Sequence, residues 1–278
     1  MIWTGREETS WGFQPGEEPA PGLSVLAHLG GSEYEAYLAQ DETGRQVVVK
    51  LVRPHMVDET YPLEGLRREA DVLGALDHPA IVKLIRVDLS SPRPHLVLDH
   101  SEGRSLADLV SGKGPMQVIE AASIGLGIAL AVDYLAGRGF VHLDIKPHNV
   151  IVGKALRVID FGIARSVEDA ALLRSPTGTD AYMAPEQCRP ADVSVGPAAD
   201  VWGLGATMHF ALTGRPPFPR PAGAPTGNAG RWPQLTNGFA APPEFATEIR
   251  PLLEACLEAD PARRPSAAEI ADAMKDLL

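Results

Sequence analysis

The stretch HLDIKPHNVIV, His142–Val152, and, after an intervening apolar segment, VIDFG, Val158–Gly162, decide the reading of this chain. In the first, Asp144 is followed two residues later by Lys146 and three beyond that by Asn149, which puts an acceptor, a cation and a metal ligand on one short loop. The second adds Asp160 before Phe-Gly. Singly, each residue has an ordinary reading: Asp144 as a helix cap, Lys146 as a solvated charge, Asn149 as a turn residue. Their grouping is what argues for chemistry.

Upstream of this loop, apolar runs alternate with Gly and Asp punctuation, and Leu23–Leu29, Glu35–Ala39 and Gln46–Val52 read as strands. A helix follows around Pro62–Leu76, where Leu66, Ala70, Leu73 and Leu76 recur on one face. Further strands are expected at Ala80–Val87 and His95–Leu98. Downstream the patterns are helical, at Leu106–Val110, Val118–Arg138, Ala198–Leu212, Phe245–Glu258 and Ala267–Leu277. Strands first and helices later imply an α+β chain with two unlike lobes. Glu69 sits on the apolar stripe of the first helix, where a carboxylate is costly unless paired. Lys50, at the end of VVVK (Val47–Lys50), is the expected partner.

A chain of 278 residues can bury a substantial core, and an apolar fraction of 45% with 22% charged residues is ordinary for a globular protein. The formal net charge of -11 disfavours a protein built to neutralise nucleic-acid phosphates. Two distant cysteines, Cys188 and Cys256, offer neither a disulfide framework nor metal-ligand spacing and fit a reducing compartment. The most apolar stretch, Ile124–Ala136, is too short to span a bilayer and contains Asp133, so it reads as a buried helix and no membrane segment is expected. The acidic, Pro/Gly-rich N-terminus is no secretory signal and reads as a loosely ordered tail, on which Trp3, Trp11 and Phe13 are candidates to dock. The Pro/Gly-rich residues Pro216–Pro243 are expected to form an exposed loop.

Phosphoryl transfer needs a polyphosphate held, its charge neutralised by metal and a nucleophile oriented, and the loop residues are of those types. At these residues the chain resembles the eukaryotic-like protein kinase superfamily, in particular bacterial serine/threonine kinases of the Hanks type. The resemblance runs from about Leu23 to the C-terminus. It implies a two-lobed protein kinase fold: a tail over 1–21, a small antiparallel-sheet lobe with one main helix over 22–99, and a larger, mostly helical lobe over 100–278, with the hinge near His100–Glu102 and ATP between the lobes.

The same resemblance implies that Asp144 orients the acceptor hydroxyl, Lys146 meets the transferring phosphate, and Asn149 and Asp160 hold Mg²⁺. Lys50, paired with Glu69, would bind the α- and β-phosphates, and Gly30, Gly31, Val48 and Leu98 would line the nucleotide site. MAPEQ (Met183–Gln187), DVWGLGATMHFALTGRPPF (Asp200–Phe218) and Arg264, expected to pair with Glu186, match structural segments of the family, and Thr179 falls where a Thr lies near the catalytic Asp. The activity implied is ATP- and Mg²⁺-dependent phosphorylation of Ser/Thr hydroxyls on protein substrates in the cytoplasm.

Three departures stand out. The glycine loop reads LGGSEYEA (Leu29–Ala36), with only Gly31 in place and Leu29 and Tyr34 at the outer glycine positions. Val48 replaces a common Ala, narrowing the adenine side. Leu143, not Arg, precedes the catalytic Asp. The degraded glycine loop motivates an alternative, a pseudokinase acting as a nucleotide-binding or scaffolding module; a small-molecule phosphotransferase would lack the Lys of DIKPHN and the MAPEQ segment.

Overall fold

Gln46–Val52 alternates buried and half-buried side chains along most of its length, as a strand with two differently covered faces does. In the computed structural model, which describes residues 9–31, 34–220, 228–240 and 246–278, this run is β3 of a five-stranded antiparallel sheet. The others are β1 (Ser24–Gly30), β2 (Tyr34–Gln40), β4 (Leu84–Asp88) and β5 (His95–Asp99), in the order β1-β2-β3-β5-β4. Helix α1 (Thr60–Gly74) follows β3 and buries Leu66, Glu69, Ala70 and Leu73 on one face, as its spacing predicts. These elements form one compact unit, Met1–Asp77 with Val82–Ser101; the other comprises His78–Ile81 and Glu102–Leu278.

One face of the sheet carries Tyr37, Ala39, Val47, Val49, Leu51 and Val97 in a core that Ala20 and Leu23 complete and against which Trp11 and Phe13 pack. The expected loose tail is corrected here: from Thr9 onward the segment is fastened to the sheet, because that face is too apolar to leave in water. Trp3, Ser32, Glu33, the 221–227 and 241–243 parts of the Pro-rich stretch and Phe245 lie outside the described residues.

The second unit begins with β6 (Arg104–Ser105), α2 (Leu106–Lys113), α3 (Val118–Gly137), β7 (Phe140–Val141), β8 (Val150–Val152), β9 (Leu156–Val158) and β10 (Arg165–Ser166). It continues with α4 (Val167–Ala171), α5 (Pro185–Cys188), α6 (Ala198–Thr213), α7 (Asn228–Arg231), α8 (Arg250–Cys256) and α9 (Ala267–Lys275). Its short strands pair as β6-β8-β9 and β10-β7. Helix α3 packs on α6 and α9, and the approach is close at Gly125, where a Cβ would lie 2.8 Å from both Met208 Sδ and Met274 Cε. By length and composition α3 is the one helix among the described residues apolar enough to cross a membrane, and half of that window is buried inside this unit. The helix expected over Val118–Arg138 forms over Val118–Gly137, opening on a reciprocal cap between Gln117 and Glu120.

Three further expectations are corrected. The strand expected over Ala80–Val87 starts only at Leu84: Ala80 and Ile81 belong to the second unit, where the carbonyl of Ala80 accepts from Val158 N–H at 2.7 Å. The helix expected over Phe245–Glu258 starts at Arg250, because Pro251 is tolerated only in a first turn. Within Pro216–Pro243, residues 228–235 are not an exposed loop but helical turns that bury Trp232, Pro233 and Gln234.

Candidate active site

The residues singled out from the sequence fall into two groups, one per unit. In the first unit Lys50 Nζ donates to Glu69 Oε2 at 2.6 Å, and the Glu69 side chain is fully buried. A cation thus meets the buried Glu69, as its place on the apolar stripe requires. Strand register sets Val48 directly opposite Leu98 and Lys50 opposite Ala36 and Leu96. At the β1–β2 hairpin Gly30 and Gly31 have φ of 97° and 118°, and a Cβ at Gly31 would collide with the Tyr34 carbonyl oxygen, so this turn needs glycine. Tyr34, at an outer glycine position, sends its ring under the Lys50 ammonium, 4.8 Å from the centroid, and its hydroxyl donates to the Pro62 carbonyl at 3.0 Å. The Tyr therefore ties the hairpin to the start of α1.

In the second unit the loop after β7 is held from beneath by Asp200 at the start of α6. Its carboxylate accepts from the backbone N–H of His142 at 2.6 Å and of Leu143 at 2.7 Å. Burial pushes the Asp200 pKa up, against the pull of His142 and of these two hydrogen bonds. Leu143 has φ 66°, a strained setting for a residue with a Cβ, and so does Asp160. Such strain costs about 1–3 kcal/mol per residue and persists only where the surroundings impose it. His142 accepts from Asp144 N–H on Nδ1 at 3.2 Å and faces the Ile159 carbonyl with Nε2 at 3.2 Å, so the tautomer protonated on Nε2 serves both.

Asp144 is saturated with donors. Oδ1 receives Thr179 N–H at 3.1 Å and the Thr179 hydroxyl at 2.7 Å; Oδ2 receives Lys146 Nζ at 2.7 Å and Asn149 Nδ2 at 3.1 Å. Lys146 also reaches Thr179 Oγ1 at 2.7 Å. Asn149 spends its amide nitrogen on Asp144, on the carbonyl at 3.0 Å as well as the carboxylate, which leaves Oδ1 as its ligand atom. The Ile159 N–H bonds the Asn149 carbonyl at 2.9 Å, which brings the Asp160 backbone alongside. No group of three or more His, Cys, Asp or Glu that could hold a metal occurs among the described residues. A donor set of one amide oxygen and one carboxylate fits Mg²⁺, which takes one or two protein oxygens and completes its shell from substrate phosphates and water.

Residues that sequence reasoning did not single out hold this loop in place. Gln187 Nε2 donates to the carbonyls of Leu143 at 2.8 Å and Thr177 at 2.9 Å, coupling the Asp144 loop to the segment that delivers Thr179. Asp180, next to Thr179, accepts from Arg231 Nε at 2.8 Å and Trp232 Nε1 at 2.9 Å, while Gln234 Nε2 bonds the carbonyls of Asp180 and Met183. Burial works to raise the Asp180 pKa, but the Arg231 and Trp232 hydrogen bonds prevail and hold it below the usual carboxylate range. The pair that the sequence did lead one to expect, Arg264 with Glu186, forms bidentately at 2.6 and 2.8 Å, both side chains being fully buried or nearly so. A charged Asp200 opening a largely apolar helix is a sequence signal from which the buried anchor could have been found; the clamp by 231–234 had none.

Residues 25–274 match the family described as the protein kinase domain. The chain is similar to the serine/threonine-protein kinase AfsK of Streptomyces coelicolor, 33% identical over 254 residues, covering 89% of this chain and 31% of that protein. It is similar also to the probable serine/threonine-protein kinase PkwA of Thermomonospora curvata, 32% identical over 93% of this chain and 34% of that protein. To the serine/threonine-protein kinase PknB of Mycobacterium leprae it is 34% identical over 71% of this chain and 34% of that protein. The chain thus spans about a third of the length of these relatives.

Proposed function

This chain belongs to the protein kinase domain family, of the bacterial Hanks-type serine/threonine kind, and from that premise we propose that it transfers the γ-phosphoryl group of ATP to Ser or Thr hydroxyls of protein substrates. The observation that carries the proposal is the Asp144–Lys146–Asn149–Thr179 cluster, in which a carboxylate is fixed by a cation, a hydroxyl and the amide nitrogen of the expected metal ligand within hydrogen-bond distance.

Mg²⁺-bound ATP supplies the transferable phosphoryl group. Asn149 Oδ1 and the Asp160 carboxylate would hold the metal, Lys50 the α- and β-phosphates, and Gly30, Gly31, Val48 and Leu98 would line the nucleotide site. Glu69 keeps Lys50 extended from its strand. An ionised carboxylate offers about four lone-pair sites, and Asp144 has all of them filled, so an acceptor hydroxyl gains Asp144 by displacing a donor. Lys146, long and flexible, is the donor that a negatively charged phosphate draws away; Asp144 then receives the hydroxyl proton while Thr179 keeps its orientation. The two cysteines are free and buried, with burial pushing both thiols up to about 12, so neither competes as a nucleophile. A reducing, ATP-supplied compartment, the cytoplasm, is the proposed location.

The test is phosphate transfer from labelled ATP with Mg²⁺ to a generic basic acceptor protein, beside Asp144→Asn. Proton-transfer groups contribute about 10²–10⁴-fold, roughly 3–5 kcal/mol of barrier. The variant is expected to lose that much turnover while still folding and unfolding cooperatively, and wild-type turnover in Asp144→Asn would refute the assignment.

A further inference from the structure

Residues 9–23 precede the stretch that matches the kinase domain family, which starts at residue 25, yet they are bound to the first unit at both ends. At the far end Arg93 Nη1 donates to the Glu18 carbonyl at 2.8 Å and its guanidinium lies 5.1 Å from the Phe13 ring, while Arg86 Nη2 donates to the Pro21 carbonyl at 3.0 Å. At the near end Trp11 Nε1 donates to the Val52 carbonyl at 2.8 Å and Trp11 N–H to Glu35 Oε2 at 3.1 Å.

Glu35 is a fully buried carboxylate on β2. Besides Trp11 it receives the Tyr37 hydroxyl at 2.6 Å and Arg53 Nη1 at 3.1 Å. Arg53 in turn donates to the Thr9 carbonyl at 2.6 Å and, through Nη2, to the carbonyl of Gly31. One guanidinium therefore joins the N-terminal segment, the buried carboxylate and the turn at which the surviving loop glycine sits.

We infer that residues 9–23 are a strap acting in cis on the nucleotide site, and that Arg53 is the positioning residue that transmits its docking to Gly31. The inference rests on the kinase reading of the site. A glycine turn is conformationally loose, and with Leu29 and Tyr34 at the outer glycine positions the hairpin depends on an outside anchor to hold its backbone amides in place. Tyr34 ties the β2 side of the hairpin to Pro62, and Arg53 is the anchor at Gly31 itself, where a planar fork suits it because three oxygens must be reached at once. Glu35 cannot stay buried without its donors, and one of them, the Trp11 amide, belongs to the strap. Undocking the strap thus removes a donor from Glu35 and the Thr9 oxygen from Arg53, and both losses are felt at Gly31.

The experiment is isothermal titration calorimetry of Mg·ADP into the 278-residue chain as wild type, Arg53→Met, Arg53→Lys, Trp11→Ala/Phe13→Ala and Arg93→Ala, with thermal unfolding of each sample. Coupling between sites typically changes affinity by roughly 5- to 150-fold, and about ten-fold weakening is expected for Arg53→Met and for the aromatic double variant. Arg53→Lys should recover part of the loss, since an ammonium can satisfy Glu35 without reaching all three oxygens. Arg93→Ala, which loosens the strap away from Glu35, should lower the unfolding temperature with a smaller change in affinity. Wild-type affinity in Arg53→Met overturns the inference, as does an affinity loss that merely follows the unfolding temperature across all variants. If the aromatic double variant does not fold, the two Arg53 variants decide the matter. Wild-type chain that binds no Mg·ADP overturns the kinase reading together with this inference; normal wild-type binding with unaffected variants overturns this inference alone.

Discussion

Replacing Arg264 by Met removes one charge from a fully buried pair and strands the other. Both Glu186 oxygens are held by the guanidinium, at 2.6 and 2.8 Å, and the two side chains are 0% and 1% exposed, so water cannot take over the role of the lost cation. Breaking such a pair from one side costs about 3–5 kcal/mol. The guanidinium also lies 5.0 Å from the Trp202 ring, a contact worth roughly 0.5–2 kcal/mol, of which a Met side chain keeps only the apolar part. Arg264 further donates to the carbonyls of Ala198, Glu258 and Ala259. The expected loss is therefore about 4 kcal/mol, a large part of the roughly 5–15 kcal/mol typical of a folded protein. Urea unfolding followed by tryptophan fluorescence at neutral pH measures it, Trp202 being almost wholly buried beside the pair. The double variant Arg264→Met/Glu186→Leu should recover about half, because the stranded charge goes while the three carbonyls still lack their donor. A loss below about 1 kcal/mol in Arg264→Met would refute the reasoning, since a fully buried carboxylate deprived of its cation is not tolerated at so small a cost.

Asp180 predicts a pH dependence: its folded-state pKa lies below the unfolded value, so its clamp contributes fully above about pH 4 and is lost as pH falls through the folded value. The unfolding-temperature difference between wild type and Asp180→Asn should be constant from neutral pH down to about 4 and shrink below it; a difference that grows on acidification would contradict the sign. Leu143 is 3% exposed in the core and donates only its backbone N–H, to Asp200, so it cannot gather a phosphate on Ser175, Thr177 or Thr179 as an Arg would. Phosphatase-treated wild type and Ser175→Ala/Thr177→Ala should show equal initial rates on an external substrate, and low rates in both, restored by preincubation with ATP in the wild type alone, would count against this. A Cβ at Gly203 would lie 2.9 Å from Ile145 Cβ and from its carbonyl oxygen, so Gly203→Ala should shift the residue between Asp144 and Lys146. A displacement of that kind costs about 10²-fold, read as a fall in kcat, and a wild-type kcat would show that α6 yields instead.

How much of this was legible beforehand depended on where the partner lay. Gln46–Val52 and the α1 stripe were readable because each element states its own burial through its period, and Glu69 was readable because a carboxylate on that stripe demands a cation. The Lys50–Glu69 and Arg264–Glu186 pairs and the Asp144–Thr179 contact were expected, and the geometry has them. The two-residue strands β6, β7 and β10 were not readable, since no period can be detected in so short a run. Of the docking of residues 9–23 only the anchors were readable: Trp11 and Phe13 were candidates to dock, but they stand among Pro, Gly and Glu with no periodicity, and what they pack on is supplied by strands far along the chain. Trp232 was hidden the same way, an aromatic without periodicity in a Pro-rich stretch, whose partner is Asp180.

The close fit of α3 against α9 has a consequence for the order in which this protein is made. Helix α3 is apolar enough to pass for a membrane span, and part of what covers it is α9, which leaves the ribosome about 130 residues later, or roughly 6–26 seconds at ordinary synthesis rates. Until then the nascent chain carries a greasy helix that α6 can cover only in part, with Gly125 waiting as a notch for Met274. A translational pause between residues 138 and 266 would lengthen that interval, and the partner that shields or mistakes α3 during it would be a chaperone or a membrane-targeting factor.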